Sequence, residues 1–320
     1  MTNDHSTRGK EPIRIGMIGL DTSHVTEFTK RINDPSHPGH VAGGMVVAAV
    51  PGGSPDLPIS ATRIPEFTRV LREDHDVKLF DSIEEMCRNV DAVMLESVDG
   101  RPHLEQVRPV IEAGRPVFVD KPVAHTLVDT IALYRLGAQH GVPLWSASSL
   151  RFHPEIVAVA EAEVGDVRGA ICHGPATIQD FHPDLFWYGI HPAEALFTVL
   201  GPGCRTVTRT FTADTDVVAG VWEGDRVGVL YGLRNQQVDY KITKFGTDGI
   251  AEREGGVDYV PLLREVMKFF QTGEPPVAAE TTLELYAYME AADESRRRGG
   301  TPVEVAETLN QARSDVEAHR

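Results

Sequence analysis

One lysine lies where a strand of an α/β protein would deliver a reactive group. Lys121 follows the apolar run Val117–Val119 and Asp120, and Pro122 comes next. Proline has no backbone donor, so the strand is predicted to end there. In an open α/β sheet, ligands bind at the carboxyl ends of the strands. The spacing therefore predicts the Lys121 ammonium group at a binding cleft, and the alternative is a surface lysine at a strand end.

Imidazole and carboxylate side chains are concentrated in a second stretch of the chain. They are His173, Asp180, His182, His191 and Glu194. These groups are suitable ligands for zinc and other divalent metals. Their spacing matches no standard metal motif, such as two histidines one helical turn apart. We therefore interpret the set as polar substrate-binding residues and predict no metal.

The glycine turn near the N-terminus departs from the dinucleotide-binding pattern Gly-x-Gly-x-x-Gly. Gly19 fills the first position, but Asp21 fills the second and His24 the third. A carboxylate at the second position would oppose a diphosphate unless it turns away. Thr22 and Ser23 could still donate hydrogen bonds at the N-terminus of the following helix.

The second strand also lacks a feature of NAD-binding domains. Such a strand should end in an acid that binds the adenosine ribose. Here Val50 is followed by Pro51, Gly52 and Gly53. This argues against a standard ribose clamp, and it leaves open NADP, another mode of ribose contact or no dinucleotide.

Composition excludes several classes of function. The net charge of −16 argues against nucleic-acid and membrane partners. Three cysteines without metal-type spacing argue against a disulfide framework and favour a reducing, cytoplasmic location. Residues 1–11 are polar and have no apolar stretch typical of a signal peptide, and no apolar run reaches transmembrane length.

Strands alternate with helices over the first half of the chain, which is typical of βαβ units. Predicted strands are 13–20, 45–50, 91–96, 117–119 and 142–146; predicted helices are 25–32, 82–89, 104–113 and 126–140. Ser82 with Glu85 forms a capping box, and Pro109 indicates a kink or a later start of its helix.

The second half has a different pattern. Predicted strands are 167–173, 205–211, 217–222, 227–233 and 238–245, with helices at 155–163, 193–200, 262–271 and around 285–292. The fold class is therefore α/β, with a Rossmann-like doubly wound parallel sheet and an α+β domain with a mostly antiparallel sheet. The predicted boundaries are a flexible tail at 1–11, a dinucleotide-binding domain at 12–150, and a substrate-binding and oligomerisation domain at 151–320.

Several motifs in this order resemble the glucose–fructose oxidoreductase / inositol dehydrogenase / MocA (Gfo/Idh/MocA) family. They are Asp91-Ala92-Val93, His103, Ala113 to Val117, Asp120-Lys121-Pro122 where the family usually has Glu-Lys-Pro, Arg151 to Pro154, Gly189-Ile190-His191, and the stretch from Pro275 to Val303. The resemblance covers nearly the whole chain. It implies an oxidoreductase that uses NAD or NADP and acts on a hydroxyl or keto group of a sugar, sugar derivative or cyclitol.

The resemblance also implies roles for individual residues. The implied catalytic set is Lys121, His191 as general base, and Asp180; the cofactor contacts are Gly19, Asp21, Thr22, Ser23, His24, Ser97, His103, Asp120 and Lys121; the substrate contacts are Arg151, His173, His182, Trp187 and Tyr188. The family commonly has an aspartate where this chain has Trp187. Asp180 or Asp184 from the preceding loop is the candidate replacement.

Two other functions stay open on this scaffold. One is a non-redox lyase, epimerase or hydrolase, with or without a metal, that has lost dinucleotide binding. The other is an inert sugar-binding homologue. The altered turn and the missing ribose acid favour these two, whereas Lys121 and His191 favour an enzyme. The resemblance further implies a homodimer or homotetramer that pairs through the open face of the second sheet.

Overall fold

The structure is a computed structural model that describes residues 11–234 and 239–318. Almost all of the predicted N-terminal tail lies outside the described residues, as does Val238, the predicted start of one strand. The described chain forms two β-sheets with helices packed on them. The fold class predicted from the sequence is confirmed.

The first sheet is six-stranded and entirely parallel, in the order β3-β2-β1-β4-β5-β6. Its elements in chain order are β1 (Ile13–Ile18), α1 (His24–Asn33), β2 (Gly44–Val50), α2 (Pro58–Ala61), α3 (Ile64–Asp74), β3 (Lys78–Leu79), α4 (Ile83–Cys87), β4 (Ala92–Leu95), α5 (His103–Glu112), β5 (Val117–Val119), α6 (Leu127–His140) and β6 (Leu144–Ser146). The strand order reverses between β1 and β4. Ligands bind at such a switch point, beyond the carboxyl ends of the strands.

Local signals set the ends of several of these helices. The Ser82 hydroxyl accepts a hydrogen bond from the Glu85 amide, which confirms the predicted cap of α4. Gly141 ends α6 in the left-handed conformation, with φ 66°. Helix α5 begins at His103 and continues through Pro109, so the alternative of a later start is wrong.

The second sheet has seven strands, in the order β12-β11-β7-β10-β9-β8-β13. Its region comprises α7 (Pro154–Glu161), β7 (Val167–Pro175), α8 (Ile190–Leu200), β8 (Cys204–Phe211), β9 (Thr215–Trp222), β10 (Val227–Leu233), β11 (Tyr240–Gly246), β12 (Ile250–Gly255), α9 (Val260–Thr272), α10 (Ala279–Arg297), β13 (Val303–Glu304) and α11 (Val305–Ala318). All neighbouring pairs are antiparallel except β7 with β10. The predicted hairpin at Gly224 joins β9 to β10.

The buried core is not divided strictly between the first and second halves of the chain. Leu262 and Phe269 of α9 belong to the same buried cluster as Ile15 and Phe118 of the first sheet. A helix from the second half therefore covers one face of the N-terminal sheet. The predicted boundary at residue 150 stays a prediction.

None of the helices in residues 11–234 and 239–318 combines the length and apolar character that a membrane crossing requires. The three cysteines, Cys87, Cys172 and Cys204, are buried and free.

Candidate active site

A cavity of about 190 Å³ lies between the first sheet and the helices and strands of the second half. It is lined by Thr22, Ser23, His24, Ile59, Arg63, Val98, Lys121, Ser149, Leu150, Trp187, Tyr188, His191, Tyr240, Gly256, Val257 and Tyr259. The volume is below the range of about 300–1,000 Å³ that is usual for ligand pockets. It therefore suits a molecule of the size of a sugar.

Lys121 lines this cavity and lies two residues after the end of β5. Its ammonium nitrogen lies 5.7 Å from the centre of the Tyr188 ring. The same ring meets the His191 imidazole edge-on, with 5.5 Å between ring centres. Tyr188 therefore contacts Lys121 and His191, the two residues predicted to be catalytic.

His191 lies in the first turn of α8 and is held by a hydroxyl. Its Nδ1 is 2.7 Å from the Ser148 Oγ, so Nε2 is the nitrogen left for a ligand. Burial, and then the positive charge of Lys121, lower the pKa of His191 well below its ordinary value. The imidazole is therefore neutral at pH 7 and can accept a proton.

A buried ion pair supports the residue that holds His191. The Glu194 carboxylate accepts a hydrogen bond from the Ser148 amide, at 3.4 Å, and pairs with the Arg151 guanidinium. Arg151 is absent from the residues that line the cavity. Its observed role is to neutralise Glu194 beneath Ser148 and His191.

The glycine turn packs closely against the loop after β4. Gly19 has φ 82°, and a Cβ at this position would lie 2.1 Å from the Ser97 Oγ. Asp21 is completely buried and turns away from the turn surface. Its carboxylate accepts hydrogen bonds from the Ser60 hydroxyl at 2.6 Å and from the Val98 amide at 2.9 Å.

These features fit the diphosphate of a dinucleotide. The unfavourable carboxylate is removed from the surface, and Thr22 and Ser23 line the cavity at the N-terminus of α1. The end of β2 does not carry the acid that would bind an adenosine ribose, because Val50 is its last residue and Gly52 and Gly53 follow.

His24 occupies the position of the third glycine and does not leave the turn open. Its Nδ1 lies 2.7 Å from Asp120 Oδ2 and 3.9 Å from Glu96 Oε2. The ring stacks on Phe28 and meets Tyr259 edge-on. Burial alone would raise the pKa of Asp120. The charge of His24 and its hydrogen bond to Asp120 nevertheless lower this pKa.

Some predicted cofactor contacts are buried behind the cavity. His103 is completely buried between the carbonyl oxygens of Val123 and Ser97, at 3.0 and 2.8 Å. The Ser97 hydroxyl donates to Gln106 at 3.0 Å. These residues fix the loop after β4 and do not line the cavity.

Neither candidate for the missing catalytic aspartate is at the cavity. Asp180 is exposed. Asp184 pairs with Arg209 and Arg296. Ser148 is instead the residue that holds His191, and no motif in the sequence indicated this role.

The remaining predicted substrate contacts separate into two groups. Trp187 and Tyr188 line the cavity. His182 is buried against Trp187, and its Nε2 lies 3.5 Å from Asp99. His173 follows the buried Cys172 on β7, so alternation places it on the other face of that strand, with the exposed Ile171.

The five residues weighed as metal ligands do not converge, because Asp180 is exposed and Glu194 is paired with Arg151. Among the described residues, His24, Glu96 and Asp120 do form a group with metal-type spacing. Sequence reasoning missed Glu96. The available signal was an acid directly after the buried strand β4.

Comparison with known proteins gives a match for the N-terminal half. Residues 13–148 match the model of the Gfo/Idh/MocA family, described as an oxidoreductase family with an NAD-binding Rossmann fold. A curated relative, the myo-inositol dehydrogenase Hyg17 of Streptomyces leeuwenhoekii, is 38% identical over 71 residues. That match covers 22% of each chain, so it spans about a fifth of the relative's length.

Solved structures resemble the chain over nearly its whole length. GenD2 from gentamicin A biosynthesis, solved in complex with NAD, has a TM-score of 0.74 at 17% identity and covers 92% of this chain and 96% of its own. A putative myo-inositol dehydrogenase from Sinorhizobium meliloti 1021 has a TM-score of 0.73 at 16% identity, with coverages of 92% and 99%. At these identities the likeness concerns the fold.

Proposed function

We propose, from the premise that residues 13–148 belong to the Gfo/Idh/MocA oxidoreductase family, that the protein is an NAD- or NADP-dependent dehydrogenase. It would act on a hydroxyl or keto group of a sugar, sugar derivative or cyclitol. The observation that supports this most directly is the pairing of a lysine and a neutral histidine at one sugar-sized cavity.

His191 is the general base in this proposal. Its Nδ1 is occupied by the Ser148 hydroxyl, and its Nε2 takes the proton of the substrate hydroxyl. Because burial and the charge of Lys121 lower its pKa, the base is ready at neutral pH without first losing a proton. The Arg151–Glu194 pair keeps Ser148 in position.

Lys121 supplies the positive charge next to the reacting oxygen. Its ammonium stabilises the negative charge that develops there as His191 removes the proton. Trp187 and Tyr188 form the aromatic wall of the cavity, which suits the apolar face of a sugar ring.

The cofactor would be held by the turn after β1. Gly19 lets the backbone approach the diphosphate, and Thr22 and Ser23 lie at the helix N-terminus that favours anions. When bound, NAD or NADP supplies the hydride acceptor.

Two observations favour a second candidate, a non-redox lyase, epimerase or hydrolase. The cavity of about 190 Å³ is small for a site shared by a substrate and a nicotinamide. The end of β2 also lacks the acid that binds ribose, because Val50 is its last residue. The same lysine and histidine would then perform acid–base chemistry alone.

Calorimetric titration with NAD, NADH, NADP and NADPH tests the redox proposal first. Micromolar binding of one of them is expected, together with its loss in Gly19→Val, whose side chain would collide with Ser97. An absorbance scan of the denatured protein detects any cofactor that is retained from the cell. No binding and no retained cofactor would refute the dehydrogenase and leave the non-redox candidate.

Substitution of the two central residues tests the chemistry, with turnover screened over sugars and cyclitols. His191→Ala should lower kcat/KM by about 10²–10⁴-fold, and Lys121→Ala by about 10²–10³-fold. Exposed residues of the same type provide controls: His140→Ala and Lys268→Ala should leave turnover unchanged. Full activity in either test variant would remove that residue from the mechanism.

A homodimer or homotetramer is part of the proposal. Ile171, Val227 and Tyr231 are exposed on one face of the second sheet, at 39%, 46% and 40%. Contiguous exposed apolar residues of this kind are typical of interfaces. Light scattering at micromolar concentration should give two or four chains, and a clean monomer would contradict it.

A further inference from the structure

Three potential metal ligands meet at the carboxyl edge of the first sheet, from three different elements. His24 begins α1, Glu96 follows β4 and Asp120 follows β5. One ligand atom from each lies within 4.8 Å of the others. These are neighbouring positions in space because β1, β4 and β5 are adjacent in the sheet.

Glu96 has no partner that explains its burial. Its exposed fraction is 0%, and neither carboxylate oxygen has a hydrogen-bond partner in the described part of the chain. Its one basic neighbour within 4.0 Å among these residues is the His24 imidazole. An ionised carboxylate buried without hydrogen bonds or a cation is very unfavourable. A proton or a bound cation must therefore neutralise this group.

We propose that His24, Glu96 and Asp120 bind a divalent transition-metal ion of the Zn²⁺ or Mn²⁺ type. One imidazole and two carboxylates form a ligand set that such ions accept. Burial and the charge of Asp120 raise the pKa of Glu96, which is the electrostatic problem that a bound cation removes.

The distances between the ligand atoms are close to those of a metal site, and small shifts in opposite directions would complete it. Metal–ligand bonds of about 2.0–2.2 Å place neighbouring ligand atoms about 3–3.6 Å apart. The His24–Asp120 pair is now closer than this, at 2.7 Å, and the His24–Glu96 pair is wider, at 3.9 Å. The metal would replace the proton on the buried Glu96 carboxyl group, whose pKa is raised, so binding should release a proton.

Three protein ligands leave a coordination position for water or a substrate oxygen. Of the three ligands, His24 lines the cavity, whereas Glu96 and Asp120 are buried and do not line it. A bound ion with an open position would supply Lewis-acid polarisation of an oxygen that reaches it. The inference goes beyond the dehydrogenase proposal and does not depend on it.

The test measures metal binding by the full, untagged chain after chelator treatment. Titrations with Zn²⁺, Mn²⁺ and Co²⁺ are followed by calorimetry, and bound metal is measured by elemental analysis after dialysis. One equivalent is expected, with proton release detected as a dependence of the heat on the ionisation enthalpy of the buffer. The visible absorption spectrum of bound Co²⁺ should indicate coordination by protein side chains.

Two variants separate this site from weak binding by the chain's 13 histidines. Glu96→Gln keeps the shape and removes the charge, and affinity should fall more than about 100-fold, since even outer partners of metal ligands contribute about 10–100-fold. Glu194→Gln is the matched control. It also changes a buried glutamate, but one that is already paired with Arg151. Metal affinity should therefore stay the same.

Two results would overturn the inference. One is less than one equivalent of every ion bound by the wild type, which would mean that a proton satisfies Glu96. The other is wild-type affinity in a folded Glu96→Gln protein. If that variant does not fold, Asp120→Asn is measured in its place, and the stoichiometry of the wild type remains decisive.

Discussion

Replacing Asp21 by alanine should destabilise the fold and leave dinucleotide affinity without a gain. The sequence places this carboxylate in a phosphate-binding turn, where its removal would relieve repulsion. In the structure the side chain is buried and bonded to Ser60 and Val98. It joins the turn after β1 to α2 and to the loop after β4.

The magnitude follows from the two donors that lose their acceptor. A buried donor left unsatisfied costs about 1–3 kcal/mol, so the Ser60 hydroxyl and the Val98 amide together give about 2–6 kcal/mol. Burial raises the pKa of Asp21, so removal of the carboxylate also recovers part of a desolvation cost. A net loss of about 2–4 kcal/mol is expected for Asp21→Ala. Asp21→Asn keeps an acceptor for Val98 and should lose about 1 kcal/mol.

Urea unfolding, followed by the fluorescence of the three tryptophans, measures these losses. The slope with urea should stay constant, so that the midpoint reports stability. A double-mutant cycle with Ser60→Ala isolates the bond between the two side chains, and a coupling of about 0.5–3 kcal/mol is expected.

Two outcomes would refute this reasoning. The first is a stability of Asp21→Ala within about 0.5 kcal/mol of the wild type, the range that is usual for surface substitutions. The second is tighter binding of NAD or NADP by a folded Asp21→Ala protein. That result would mean that the carboxylate faces the diphosphate in solution.

Three further predictions follow from buried or exposed charges and the open sheet face. Lys121→Gln should raise the pKa of His191, as measured by NMR of the imidazole nitrogens, and an unchanged pKa would contradict the coupling. Because the pKa of His191 in the folded protein lies below 6.5, the free energy of unfolding should decrease as the pH falls from 6.5 towards that pKa. Arg209→Ala should lower the free energy of unfolding in urea by about 3–5 kcal/mol, because it leaves buried carboxylates unpaired. Arg14 is exposed, so Arg14→Ala should leave the urea midpoint unchanged. Equal effects of the two substitutions would contradict a stabilising role for the buried pairs. Tyr231→Glu should dissociate the oligomer in light scattering, and an intact assembly would exclude this face as the interface.

Features that depend on near neighbours in the chain could be predicted from the sequence. The cap of α4 joins Ser82 to Glu85, three residues away, and Gly141 ends α6 through its own backbone conformation. The apolar run Val117–Val119 likewise indicated a buried strand that ends at Lys121. The short strand β13 (Val303–Glu304) was missed, since two residues contain no periodicity.

The sequence by itself therefore determined five of the six strands of the first sheet, the two kinds of sheet, and the position of Lys121 just after β5. It did not indicate α3 (Ile64–Asp74), β12 (Ile250–Gly255) or α11 (Val305–Ala318). Only the tertiary structure decided how the side chains meet. Asp21 turns towards Val98, 77 residues away, and His191 is held by Ser148, 43 residues away. Periodicity and capping act over three or four residues, whereas these contacts depend on which strands become neighbours in the sheet. Strand order is set by the packing of the whole core, so no local pattern of residues records it.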